Sequence, residues 1–111
     1  MDESEIESEL LELTPIGADG QSAILNLDKT YGTDSFLFKG PARFEKNEWK
    51  TLGINDGMDI GSRGAPFFFS YKLGSHMSEY IILPTVVSAT WIFDEEGKLA
   101  EIRVIKTVDG L

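Results

Sequence analysis

The residues able to do chemistry in this chain are mainly carboxylates. It carries 19 Asp and Glu, one His and no Cys. Without cysteine there is no disulfide, thiol nucleophile, zinc–cysteine site or iron–sulfur cluster. A Ser–His–Asp relay or a metal–histidine centre needs a histidine held by its neighbours. The single candidate, His76, falls in a polar stretch that reads as an exposed turn. General acid–base work needs a carboxyl pushed up by burial or by a like charge. Asp94, Glu95 and Glu96 cluster, but on a hairpin turn open to water. Asp28 and Asp34 bracket Tyr31 near the end of an expected strand, where they would line the mouth of a cavity if the sheet encloses one.

Carboxylates also attract hard cations. The loop Asn55-Asp56-Gly57-Met58-Asp59 offers oxygen from Asn55, Asp56 and Asp59, and Gly57 would let backbone carbonyls turn inward. The Asp-x-Asp-x-Asp-Gly core of an EF-hand and its closing Glu are absent, so a Ca2+ site here would draw on several loops. The alternative for Asp56-Gly57 is an ordinary turn. There is no phosphate-cradling Gly-x-x-x-x-Gly-Lys string and no dinucleotide fingerprint. Gly61-Ser62-Arg63-Gly64 offers one Arg and a few amides, enough for a single anion or simply for a turn.

Net charge sorts the partners. At -9, the chain is a poor match for nucleic acid, whose binding rests on Lys and Arg neutralising phosphates. The acidity is local. Residues 1–12 carry Asp2, Glu3, Glu5, Glu7, Glu9 and Glu12 and no base, leaving 13 acids against 10 bases in the rest. Such a face either keeps a surface solvated or steers a basic partner.

The elements that would position these groups follow from periodicity. Ile6, Leu10 and Leu13, widened by Leu11, recur at helical spacing. Ser4 with Glu7 fits a capping box, and Pro15 ends the helix. Beyond Gly20, Ala23, Leu25 and Leu27 alternate with Ile24, Asn26 and Asp28, which predicts a strand. Ser35 to Phe38 predicts another, bent or ended by Gly40-Pro41 and continued by Ala42 to Glu45. Trp49 to Ile54 is a weaker strand. Phe67, Phe69, Tyr71 and Leu73 share one face, with Phe68 on the other. Phe68 therefore marks either a sheet covered on both sides or a contact for a partner, and Trp49, among charged neighbours, suits a strand edge facing a partner. Ile81, Leu83, Val87, Ala89, Trp91 and Phe93 predict a long core strand. Asp94-Glu95-Glu96-Gly97 predicts a hairpin turn with Gly97 at positive φ. Leu99 to Val108 returns, with Ala100, Ile102 and Val104 inward and Glu101 and Arg103 outward.

The final hairpin resembles the closing strands of cystatin-like and NTF2-like cone folds. That resemblance covers only the hairpin and carries no site residue. Gly74-Ser75-His76-Met77 matches the string that a common cloning site leaves after a tag is cut, and Lys72-Leu73 matches restriction-site sequence. Residues 72–77 are thus either a natural polar turn or an engineered junction, as in a fusion or a circular permutant.

The expectation is a single α+β domain over residues 1–111. One N-terminal helix packs on a curved, mainly antiparallel sheet of about five strands, closing towards a half-barrel. No apolar run approaches the roughly 18 residues of a membrane span, and no signal peptide is evident, so a cytoplasmic protein is expected. The expected function is non-enzymatic binding of a basic protein partner through Glu3, Glu5, Glu9 and Glu12, aided by Trp49 or Phe68. The alternatives are a calcium-binding protein using Asn55, Asp56 and Asp59, and a cone-like pocket protein that binds or converts a small molecule.

Overall fold

The computed structural model describes residues 3–53, 64–77 and 84–108. Two helices, α1 (Glu3–Leu13) and α2 (Gly20–Tyr31), precede a short 3₁₀ turn at Thr33–Ser35. Five strands follow: β1 (Phe36–Glu45), β2 (Glu48–Thr51), β3 (Phe67–Met77), β4 (Pro84–Phe93) and β5 (Leu99–Val108). They form one antiparallel sheet in the order β2-β1-β3-β4-β5, curled into a half-barrel, so the α+β expectation holds.

α1 forms where its apolar spacing places it. Leu10 is buried, and Ile6, Leu11 and Leu13 pack against the same core. Glu3 is already helical, so Ser4 lies inside the helix and accepts the Ser8 hydroxyl on its carbonyl instead of capping the N-terminus. Thr14 ends the helix in a buried position. Its Oγ1 donates to the Leu10 carbonyl at 2.8 Å and accepts the Trp91 indole N–H at 2.9 Å.

The strand expected at residues 23–28 is instead helix α2. Ala23, Leu25 and Leu27 fit a period of two, but Ala23, Leu27 and Tyr31 also fit a helical stripe. Ala23 and Leu27 are buried while Leu25 is 70% exposed, so the helical period prevails. Its boundaries have ordinary signals. Asp19 sits extended at the N-cap, and Gly32 at φ 91 donates its N–H to the Asp28 carbonyl.

The sheet has two buried faces. Phe67, Phe69, Tyr71, Ala89, Trp91, Phe93 and Ile102 pack under the helices. The alternate residues Phe68 and Ile92 join Ala42 in a second cluster, with Phe38 and Trp49 packed against it. Curling supplies that second covering. Arg103 on β5 donates to the Trp49 carbonyl on β2 and pairs with Glu101, linking the two outer strands of the sheet. Cross-strand neighbours Ser70 and Thr90 hydrogen-bond to each other at 2.8 Å, so burial leaves neither hydroxyl without a partner.

Of the two readings of Gly40-Pro41, the continuing one holds: β1 runs through it to Glu45, and details depart from the expectation at two other places. Gly40 is needed for space: a Cβ there would lie 1.8 Å from the Gly53 carbonyl oxygen, where the chain crosses back after β2. Residues 74–77, expected in a turn, continue β3, with Gly74 to Met77 opposite Val87 to Pro84 beyond a bulge near Lys72. A second bulge pairs Phe93 with Leu99 and Ile92 with Glu101, so Leu99 takes the core place assigned to Ala100. The 94–97 turn forms as expected, with Gly97 at φ 76. Ile81 and Leu83 lie outside the described residues.

Gly40→Ala is expected to lower stability by about 1–3 kcal/mol through overpacking. Gly74→Ala, where an added Cβ meets nothing within 4 Å, should leave stability nearly unchanged. Urea midpoints of the two variants check the contrast.

Candidate functional site

Among the described residues, two surfaces combine chemistry with exposure. The first is the outer face of α1. Glu3, Glu5, Glu7, Glu9 and Glu12 are all exposed, and the helix has no base. Leu10 and its apolar neighbours dock on the core; at 3.6 residues per turn Glu5, Glu9 and Glu12 share the outward side, while Glu3 and Glu7 flank the apolar stripe in the first turns.

The second surface is a groove of about 320 Å³ lined by Phe44, Trp49, Asp94, Glu95 and Glu96. Its aromatic wall comes from a tight hairpin. Lys46 and Asn47 adopt φ 48 and 64, the paired positive values of a two-residue turn, which sets Phe44 opposite Trp49. Their rings lie 5.0 Å apart at 59°. Phe44 is 53% exposed, and Trp49 is half-buried. The Arg103 bond to the Trp49 carbonyl holds this wall in place.

The acidic wall is the β4–β5 turn. Asp94 Oδ1 accepts the amides of Glu96 and Lys98 at 2.9 and 3.0 Å, so this carboxylate builds the turn. Glu95 and Glu96 are exposed beside the aromatic pair. Carboxylates against aromatic faces make a surface suited to a cation.

The sequence-derived residues distribute unevenly over these surfaces. Glu5, Glu9 and Glu12 lie together on one side of α1 with Glu3 exposed in its first turn, and Trp49 lies in the groove. Phe68 is 3% exposed and enclosed by Ala42 and Ile92, so its ring offers no surface; Phe44 is the exposed ring beside Trp49. Asn55, Asp56 and Asp59, with Gly61 to Arg63, lie outside the described residues. Among the described residues, no group of three or more His, Asp or Glu is placed to hold a metal ion. His76 lies in β3 opposite Thr85.

Asp28 and Tyr31 belong to α2, not to a strand end, and Asp34 is exposed in the 3₁₀ turn. Asp28 accepts the Tyr71 hydroxyl at 2.7 Å. Burial, and then the Asp28 hydrogen bond and charge, push that hydroxyl well above its ordinary 10.0. Tyr31 is raised from 10.0 in the same sense, by burial and then by the charge of Glu9. Both phenols thus stay protonated at neutral pH, and Asp28 helps to fix α2 to the sheet.

Phe44 and the groove escaped sequence reasoning. The available signal was the symmetry of Phe44-Glu45-Lys46-Asn47-Glu48-Trp49, where a two-residue turn makes the aromatics face each other. Their approach to Glu95 and Glu96 depends on sheet curl and leaves no local trace.

No family model, curated protein or solved structure gives a significant match to the chain. Among the described residues, no helix is long and apolar enough to cross a membrane.

Tyr71→Phe removes the donor to Asp28 and is expected to cost about 1–3 kcal/mol at neutral pH, since the acceptor is charged. Raised folded-state values mean that the tyrosine contribution is complete below about pH 10 and is lost as pH rises beyond it, where the unfolded chain releases protons first. Denaturant titrations from neutral to alkaline pH should show that loss, and Tyr71→Phe should flatten it.

Proposed function

We propose that this protein is a non-enzymatic binding protein for a protein partner with a basic surface. The observation that carries the reading is the surface of α1, where Glu5, Glu9 and Glu12 share one side and Glu3 and Glu7 add exposed charge, on a helix without a base. Clustered like charge accelerates encounter with an opposite surface and discriminates among partners. The Phe44–Trp49 wall beside Glu95 and Glu96 supports the same reading independently, because binding energy concentrates in aromatic anchors.

An oligo-arginine peptide serves as the basic probe. Changing Glu3, Glu5, Glu9 and Glu12 together to Gln should weaken its binding about tenfold or more at low salt, and added salt should narrow the difference. Calorimetric titration of both proteins measures it, with circular dichroism to verify that α1 persists. Equal affinity for the two proteins overturns the role of the helix.

A further inference from the structure

We infer that the groove between the Phe44–Trp49 hairpin and the Asp94–Glu96 turn receives a guanidinium group, namely one arginine side chain of the basic partner. This rests on the partner being basic and specifies which of its side chains anchors it.

Charge complementarity commits the groove to a cation. Its polar wall is acidic, from Asp94, Glu95 and Glu96, and its apolar wall is two rings. Cations are drawn to aromatic faces, most strongly to tryptophan. Asp94 is engaged by two backbone amides, which leaves the exposed carboxylates of Glu95 and Glu96 to meet a ligand.

The shape then selects among cations. The rings stand at 59° to each other with centroids 5.0 Å apart, so they make an open wedge instead of a closed cage. A quaternary ammonium needs rings on several sides and has no N–H to give to Glu95 or Glu96. A lysine ammonium is a compact, strongly hydrated charge that gains little from a flat ring. A guanidinium is planar and weakly hydrated, stacks on an aromatic face and donates edge-on to carboxylates. The groove supplies both partners that such a group uses, two rings and the carboxylates of Glu95 and Glu96.

Size and rigidity agree. A volume of about 320 Å³ lies at the lower end of ligand sites, suited to one side chain. The wall is built before binding. Arg103 secures the Trp49 carbonyl, the Lys46-Asn47 turn fixes the hairpin, and Asp94 fixes the opposing turn. A pre-formed site loses less freedom when it is filled.

The test is a titration of the full chain with N-acetyl-arginine amide, N-acetyl-lysine amide and tetramethylammonium at matched ionic strength, followed through the amide resonances of Phe44, Trp49, Glu95 and Glu96. The arginine probe should shift these signals saturably and bind about threefold to tenfold more tightly than either other cation. Glu95→Gln with Glu96→Gln should weaken it about tenfold, and Trp49→Leu should remove the preference for arginine over lysine. Spectral dispersion in the same samples reports whether each variant is folded, and the comparison of three probes on the unaltered chain needs no variant. Equal affinity for the three probes, tighter binding of tetramethylammonium, or no saturable shift overturns the inference. Because each probe carries one side-chain charge, the result separates the two readings. Oligo-arginine binding that depends on α1 without arginine-amide binding defeats the groove alone, and the reverse defeats the helix alone.

Discussion

Three consecutive phenylalanines in one strand impose the constraint on which this fold depends. In β3, a period of two sends Phe67 and Phe69 to one side and Phe68 to the other. No single covering layer buries all three. Helices α1 and α2 close the first side, and the sheet closes the second by curling upon itself, bringing Phe68 and Ile92 against Ala42 and Trp49. The half-barrel is therefore a response to apolar surface on both faces. The groove is a by-product of that response, since curling brings the hairpin of β1 and β2 towards the turn between β4 and β5.

Polar contacts decide how the layers sit. Apolar burial drives the helices onto the sheet without fixing their orientation. Thr14 and Asp28 supply direction: one receives the Trp91 indole at the end of α1, and the other the Tyr71 hydroxyl from α2. Both donors lie on the largest buried rings of the sheet. Trp91 and Tyr71 are fully buried only because each polar atom has a partner there. The connection between the helices adds backbone bonds, as Gly17 donates to Leu99 and Leu99 donates to Ala18.

Much of this was legible in the sequence, and the misses have physical causes. The alternation in β3 to β5, the apolar stripe of α1 and the turn at Gly97 depend on local pattern, which survives into the folded state. α2 was misread because Ala23, Leu25 and Leu27 satisfy both periods, and only burial against the sheet favours one. Gly40 resembled a strand breaker, whereas it admits a carbonyl from Gly53, a contact that local sequence does not reveal. The acids of α1 were found from charge alone. Half of the groove was found through Trp49 and the acidic turn, while Phe44 and the meeting of these parts follow from the overall curl.

The link from Arg103 to Trp49 also bears on self-association. β2 and β5 are the outer strands, and an outer strand normally presents bare amides and carbonyls that recruit strands of other chains into growing aggregates. Here one guanidinium, held by Glu101, reaches from one outer strand to a carbonyl of the other. A second chain approaching that gap meets a charged pair and an occupied carbonyl in place of an open template. The side chain that closes the half-barrel thereby opposes fibre growth at the seam.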